Sequence, residues 1–289
     1  MAESPAHRFG QVIGELLETV VLPQLEAFCR NQGLYLDHQK RVRPVRTGKK
    51  VTWEDQYGNA HDLDFVIERD GSDEIIGRPL AFIETAWRRY TRHSRNKAQE
   101  IQGAILPLAE KYRWNNPFLG IVLAGIFTET SLEQLRSLGF QVLYFPYESL
   151  VAAFQSEGIN IAFNEITPDK VFRQTTNRIE KLPPKQMVRI RSHLVTANQA
   201  AIDGFFIALR QRLGRHVTRV VVIPLYGRVS EFATIEDALR FLDGHMIYEG
   251  SGEFRKYEIH VEFSNGDKVE AFLEAKNKVK EFLDFVAKQ

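Results

Sequence analysis

The run Leu119 to Phe127 (LGIVLAGIF) carries no charged side chain, and this limits what the segment can become. A strand with one wet face alternates apolar and polar residues, so a near-continuous apolar run predicts a strand buried on both faces. Ser131 then predicts a helix cap, the helix runs through Leu138, Gly139 stops it, and Phe140 to Phe145 (FQVLYF) predicts a further strand. Strand, helix and strand in this order make a βαβ unit with a parallel pair, which needs a crossover. The chain therefore holds an α/β core.

Upstream, apolar residues recur at helical spacing from about Arg8 to Arg30, and Asn31-Gln32-Gly33 supplies a stop. Val51-Thr52-Trp53, His61 to Glu68 and Pro79 to Glu84 predict three strands of a meander, with turns at Gly58-Asn59 and Gly71. A helix follows from about Arg92 to Tyr112, which Pro107 is expected to kink or split. Another, from Tyr147 to Ser156, closes a first domain of residues 1–167. Residues 168–289 predict a second, α+β region. It has a basic helical start, a break at Leu182 to Lys185 (LPPK) and a long helix through about Leu213. Strands are expected at Val217 to Leu225 and Lys256 to Phe263, with a helix at Thr234 to Leu242 between them. An Asn-Gly hairpin signal at Ser264 to Asp267 and a helix from about Phe272 to Ala287 complete it.

The lone Cys29 excludes a disulfide framework and a zinc site built from several cysteines. The eight histidines show no metal-binding spacing, and no glycine-rich phosphate loop occurs, which argues against an ATP- or NAD-dependent enzyme. No apolar stretch reaches the ~18 residues of a membrane span, and the first residues lack a signal-peptide layout, so the expectation is a cytoplasmic protein without membrane contact. The net charge of +1 conceals a segregation of sign. Residues 40–50 (KRVRPVRTGKK), 88–97 (RRYTRHSRNK) and 170–191 together hold +17, so the rest of the chain sums to −16. Such clustering predicts a basic face for a polyanion, although any one run can also be a plain solvated face. The candidate phosphate contacts are Lys40, Arg41, Arg43 and Arg46; Arg88, Arg89, Arg92, His93, Arg95 and Lys97; and Arg173 and Arg178.

Asp64 and Glu84 stand on two predicted strands joined by a glycine turn. Antiparallel neighbours can bring two such carboxylates to one sheet edge as an oxygen site for Mg²⁺, and a divalent ion there can polarise a phosphodiester and generate hydroxide. Surface carboxylates paired with nearby arginines are the other reading. Asp62, two residues from Asp64, points to the same face of a strand and competes with it.

The order helix-β-β-β-helix-β, with Leu63-Asp64-Phe65 on the second strand and Phe82-Ile83-Glu84-Thr85-Ala86 on the third, resembles the PD-(D/E)xK nuclease superfamily over residues from about 9 to 156. The resemblance implies a restriction-endonuclease-like αβββαβ core with a mixed central sheet. It implies metal binding by Asp64, Glu84 and the Thr85 carbonyl, and it allows a further acid at Glu18. The position of the usual catalytic lysine, two after the glutamate, is Ala86 here. That lysine would orient the attacking water and stabilise the developing charge, which a methyl group cannot do. Three accounts stay open: a lysine-to-alanine inactivated form, a natural member in which Arg88, Arg89 or Lys97 reaches the site, or a relative that only binds DNA. The expectation is a Mg²⁺-dependent endonuclease of the type II restriction kind. It would act on double-stranded DNA, with a homodimer cutting the two strands of a palindrome. The alternatives are a defence, repair or transposition nuclease of the same superfamily and a non-catalytic DNA-binding protein.

Overall fold

The computed structural model describes residues 4–46, 48–90, 94–214, 216–225, 228–244, 255–264 and 266–287. The chain divides into two compact units, Met1–Leu209 and Arg210–Gln289.

The first unit opens with α1 (Pro5–Gln32), which Ser4 caps by accepting the His7 N–H and which Gly33 ends with a left-handed φ of 64°. A five-stranded mixed sheet follows in the order β1-β4-β5-β6-β7. Its strands are β1 (Tyr35–His38), β4 (Phe65–Arg69), β5 (Arg78–Arg88), β6 (Phe118–Gly125) and β7 (Phe140–Pro146). The first two pairings are antiparallel and the last two parallel. The strand expected at Leu119 to Phe127 is thus β6, and its parallel pairing with β7 across α3 (Glu129–Ser137) is the βαβ unit anticipated. The cap of α3 is Thr128, whose hydroxyl accepts the Ser131 N–H; Ser131 itself lies inside the helix.

Two faces of β5 receive different helices. Trp87 meets Phe9 of α1, while Phe82 and Ala86, on the opposite face, share a core with Ala98, Ile101 and Ile105 of α2 (Ser94–Lys111). Pro107 sits within α2 without ending it.

The meander differs from expectation in its first member. Val51–Glu54 (β2) pairs only with Ala60–Leu63 (β3), as a separate two-stranded sheet, and the third antiparallel strand of the main sheet is β1. Tyr-Leu-Asp-His does not read as a buried strand, yet Asp37 and His38 are both buried. The predicted strand His61 to Glu68 is interrupted at Asp64, between β3 and β4.

α4 (Tyr147–Gln155), α5 (Asp169–Glu180) and α6 (Pro184–Ala197) complete the first unit together with most of α7 (Gln199–Leu213). The expected boundary at 167/168 is therefore displaced. Phe172 of α5 packs against Phe9 and Phe163, with ring centroids 5.8 and 4.5 Å apart, and this aromatic cluster holds α5 to α1. The long helix predicted through Leu213 is two helices, with Asn198 between them.

In the second unit β8 (Val217–Pro224), β9 (Ser230–Phe232), β10 (Tyr257–Phe263) and β11 (Lys268–Leu273) form an antiparallel sheet ordered β11-β10-β8-β9. α8 (Ile235–Gly244) and α9 (Lys276–Ala287) bury Leu242 and Leu283 with Val220, Val222, Ile259 and Val261. The β10–β11 hairpin stands where the Asn-Gly signal predicted one; Asn265 lies outside the described residues. Phe272 belongs to β11, opposite Glu258, so the last helix starts later than expected. Among the described residues no helix is long and apolar enough to cross a membrane.

Candidate active site

The antiparallel pairing of β4 with β5 runs to Phe65 opposite Ile83; Asp64 is the residue just before β4, and Glu84 is the next residue on β5. They come together at the point where this pairing ends, and the charge of Asp64 acts on Glu84. Asp64 is fastened by Thr85, whose N–H and hydroxyl both donate to Asp64 Oδ2 at 2.7 Å. Glu84 Oε2 is buried and has no hydrogen-bond partner. Desolvation, followed by the charge of Asp64, pushes the Glu84 carboxyl up to about 8, and desolvation also raises Asp64. Lys97, in the first turn of α2, is a cation that opposes both shifts, while Glu18 of α1 repels both carboxylates, outweighing Lys97 at Asp64 and falling short of it at Glu84. Glu18 is itself 8% exposed, accepts from Gln39 Nε2 at 3.0 Å and pairs with Lys40 at 3.1 Å.

These carboxylates fit a divalent cation. Two hard oxygen donors are brought together, one of them with an unbonded buried oxygen; burial makes both costly to ionise, and the charge of Asp64 adds to that cost at Glu84. Mg²⁺ commonly takes only one or two protein carboxylates, completing its shell with water and substrate phosphate. Among the described residues no group of three or more His, Cys, Asp or Glu side chains is gathered as a metal site.

The pH dependence has a definite sign. A carboxyl whose pKa is raised on folding keeps its favourable contribution while protonated and loses it as pH rises, here from the ordinary 4.5 through about 8. Glu84→Gln is therefore expected to melt higher than the parent at pH 8.5, by an amount worth about 2–4 kcal/mol, and to melt like it near pH 4.5. Thermal melts of the metal-free protein across that range check this.

Two clefts lie along α1. One, of about 660 Å³, is lined by His7, Gln11 and Gly14 of α1, Thr85 to Tyr90 of β5 and the following turn, and Asn96, Lys97 and Glu100 of α2. The other, of about 830 Å³, lies between Glu15, Glu18 and Thr19 of α1 and the loop from Gln39 to Lys49. Lys97 lines the first and Glu18 the second, and the charges of both act on Asp64 and Glu84.

The remaining candidates separate into groups. Asp62 is no competitor: it is exposed on β3 and bonded to Lys50 and Thr52. Ala86 is 5% exposed, its methyl packed in the α2 core. Arg88 Nη2 and Lys97 Nζ both approach Glu100 Oε2, at 3.5 and 3.4 Å. Arg89 has no carboxylate partner among the described residues; its guanidinium lies over the rings of Tyr90 and Phe172, 4.2 Å from each centroid, and its Nε is buried and unbonded.

The basic loop needs correction. Arg43 is not a surface contact for phosphate: its side chain is 1% exposed and bonded to Glu68 and Asp37. Arg46 is spent largely on Asp37 and on the carbonyls of Arg41 and Lys49, Arg41 pairs with Asp73, and Lys40 with Glu18. Arg173 and Arg178 are exposed on α5. Arg92 and His93 lie outside the described residues, as does the side chain of Arg95. Glu100 escaped the sequence reading, although its i+3 spacing from Lys97 marks a helical ion pair.

The chain matches no protein-family profile and no curated protein sequence. Among solved structures, the crystal structure of a protein of unknown function, AF1548, is similar at 12% identity and a TM-score of 0.28, over 66% of this chain and 98% of that one. A similarity at that level carries no argument about fold or function.

Proposed function

We propose that the chain is a Mg²⁺-dependent DNA endonuclease and that its first unit is a restriction-endonuclease-like nuclease domain. The observation that carries this reading is the Asp64–Glu84 pair, brought together where the pairing of β4 with β5 ends, with the charge of Lys97 acting on both. Asp64 and Glu84 would hold the Mg²⁺, which would supply Lewis-acid activation of a phosphodiester and lower the pKa of a bound water.

The protein's own residues do the rest. Thr85 holds Asp64 by two hydrogen bonds, so one ligand oxygen is positioned before substrate arrives. Lys97 takes the role that Ala86 cannot, placing an ammonium beside the carboxylates from α2 rather than from β5. Arg88 and Arg89 border the same cleft and offer guanidinium groups to the phosphates flanking the cut. This favours the account of a natural member over that of an inactivated form, because a cation already faces the pair.

The test is cleavage of unmethylated DNA in Mg²⁺ by the parent, by Lys97→Met, by Ala86→Lys, and by the two substitutions combined. Cutting by the parent is expected, with a loss of about a hundredfold in Lys97→Met and partial recovery when the lysine is returned on β5. If the parent is inert and Ala86→Lys alone creates cutting, the chain is an inactivated form. DNA binding without cutting by any of them leaves a DNA-binding protein.

A further inference from the structure

We infer that the cleft lined by α1, β5 and α2 is a receptor for the phosphate monoester of a nucleotide, either free or at the end of a strand. The nucleotide part rests on the nuclease reading, and the phosphate part on the cleft alone.

Two arginines carry the argument. Arg88 and Arg89 line the cleft from the end of β5 and the turn after it. Burial lowers both guanidinium groups below the ordinary arginine value, because the water taken from them is not replaced by enough opposite charge. Arg43 shows the contrast. It too is desolvated, yet hydrogen bonds and charge from Glu68 and Asp37 raise it. Arg88 has only Glu100, 3.5 Å away and largely exposed. Burial of Arg89 is opposed by Tyr90 and Tyr147 and by no carboxylate. Its guanidinium is nonetheless held in place, 4.2 Å from the ring centroids of both Tyr90 and Phe172. Arg89 is thus positioned by packing while its charge stays unanswered.

The charge count selects the ligand. Lys97 adds a third cation to the lining, and Glu100 is the only carboxylate there among the described residues, which leaves an excess of two positive charges. A phosphodiester within a strand brings one negative charge, whereas a monoester brings about two near neutral pH. The monoester is the match, and planar guanidinium forks suit its paired oxygens.

The cleft holds more than an ion. Its volume of about 660 Å³ is in the range that takes a small organic ligand, so the phosphate can enter with its nucleoside attached. Gly14 of α1 lines it, and a Cβ built there meets nothing within 4 Å. No packing contact requires glycine at that point, although glycine is unfavourable inside a helix.

The experiment measures binding in EDTA, with the full chain, of one labelled DNA strand carrying a phosphate at one end, at the other, or at neither, and of a mononucleotide beside its nucleoside. The parent is expected to favour a phosphorylated form by at least about tenfold. Arg89→Gln should abolish that preference. Glu100→Gln, which releases Arg88 and Lys97 from their shared carboxylate, should widen it severalfold, a gain that misfolding cannot produce. Arg240→Gln, on α8, should leave it unchanged. Preference among the strands places the phosphate at a strand end, and preference for the mononucleotide alone identifies a free nucleotide. No preference in either comparison, its survival in Arg89→Gln, or its narrowing in Glu100→Gln overturns the inference. Cleavage in Mg²⁺ is judged apart: cutting without the preference leaves the nuclease reading standing, and the preference without cutting leaves the receptor.

Discussion

Asp64→Asn and Glu84→Gln are each expected to lower Mg²⁺-dependent DNA cleavage by about a thousandfold or more, with the fold retained. An amide keeps the size of the side chain and removes the charge that would hold the cation. Both variants should lose Mg²⁺ and Ca²⁺ affinity together, measured by calorimetry, and Glu84→Gln should at the same time be the more stable protein at high pH. That combination, activity lost while stability rises, separates a metal ligand from a carboxylate that merely supports the sheet. Unchanged Ca²⁺ affinity in both variants would remove the metal from this site.

The second large effect is expected at Arg43. Its Nη1 bonds Glu68 at 2.6 Å and Asp37 at 2.8 Å, its Nη2 bonds Glu68 at 2.8 Å and the Ile75 carbonyl at 2.6 Å, and its Nε bonds the Ser72 carbonyl at 3.0 Å. Asp37 and Glu68 are 2% and 0% exposed. Arg43→Ala leaves two carboxylates buried with their main counter-ion gone, a change that costs about 3–5 kcal/mol. Denaturant unfolding measures that loss. A surface phosphate contact would behave in the opposite way, with DNA affinity falling and stability hardly changing. Loss of stability below about 1 kcal/mol would show that the network holds nothing together.

Arg43 also shows where sequence reading stops. In KRVRPVRTGKK the cations are indistinguishable, since each is a basic residue in a polar loop with no acid among its neighbours. Their partners come from other segments: Asp37 and Glu68 from β1 and β4, Asp73 from the turn before β5, Glu18 from α1. The same long-range pairing hid β1. Asp37 and His38 are poor strand residues until an arginine six positions away from the aspartate enters the core to neutralise it. Lys97 was legible only as one cation among several, because its relation to Glu84 depends on the angle at which α2 returns over β5.

What the sequence determined by itself was local and periodic: the buried parallel strands β6 and β7, the amphipathic α1, the antiparallel pair β4 and β5 beside Asp64 and Glu84, and the Asn-Gly hairpin of the second unit. Burial patterns of period two or three to four, turn residues and caps act within a few residues, and a linear reading can weigh them. The tertiary structure alone decided which basic residues remain available, which strand completes the sheet, that Ala86 is packed while the charge of Lys97 acts on both carboxylates, and that the Glu84 carboxyl is pushed up to about 8. Those outcomes depend on desolvation and on charges brought together from distant segments. Both follow from the packing of the whole chain and neither is a property of any one stretch of it.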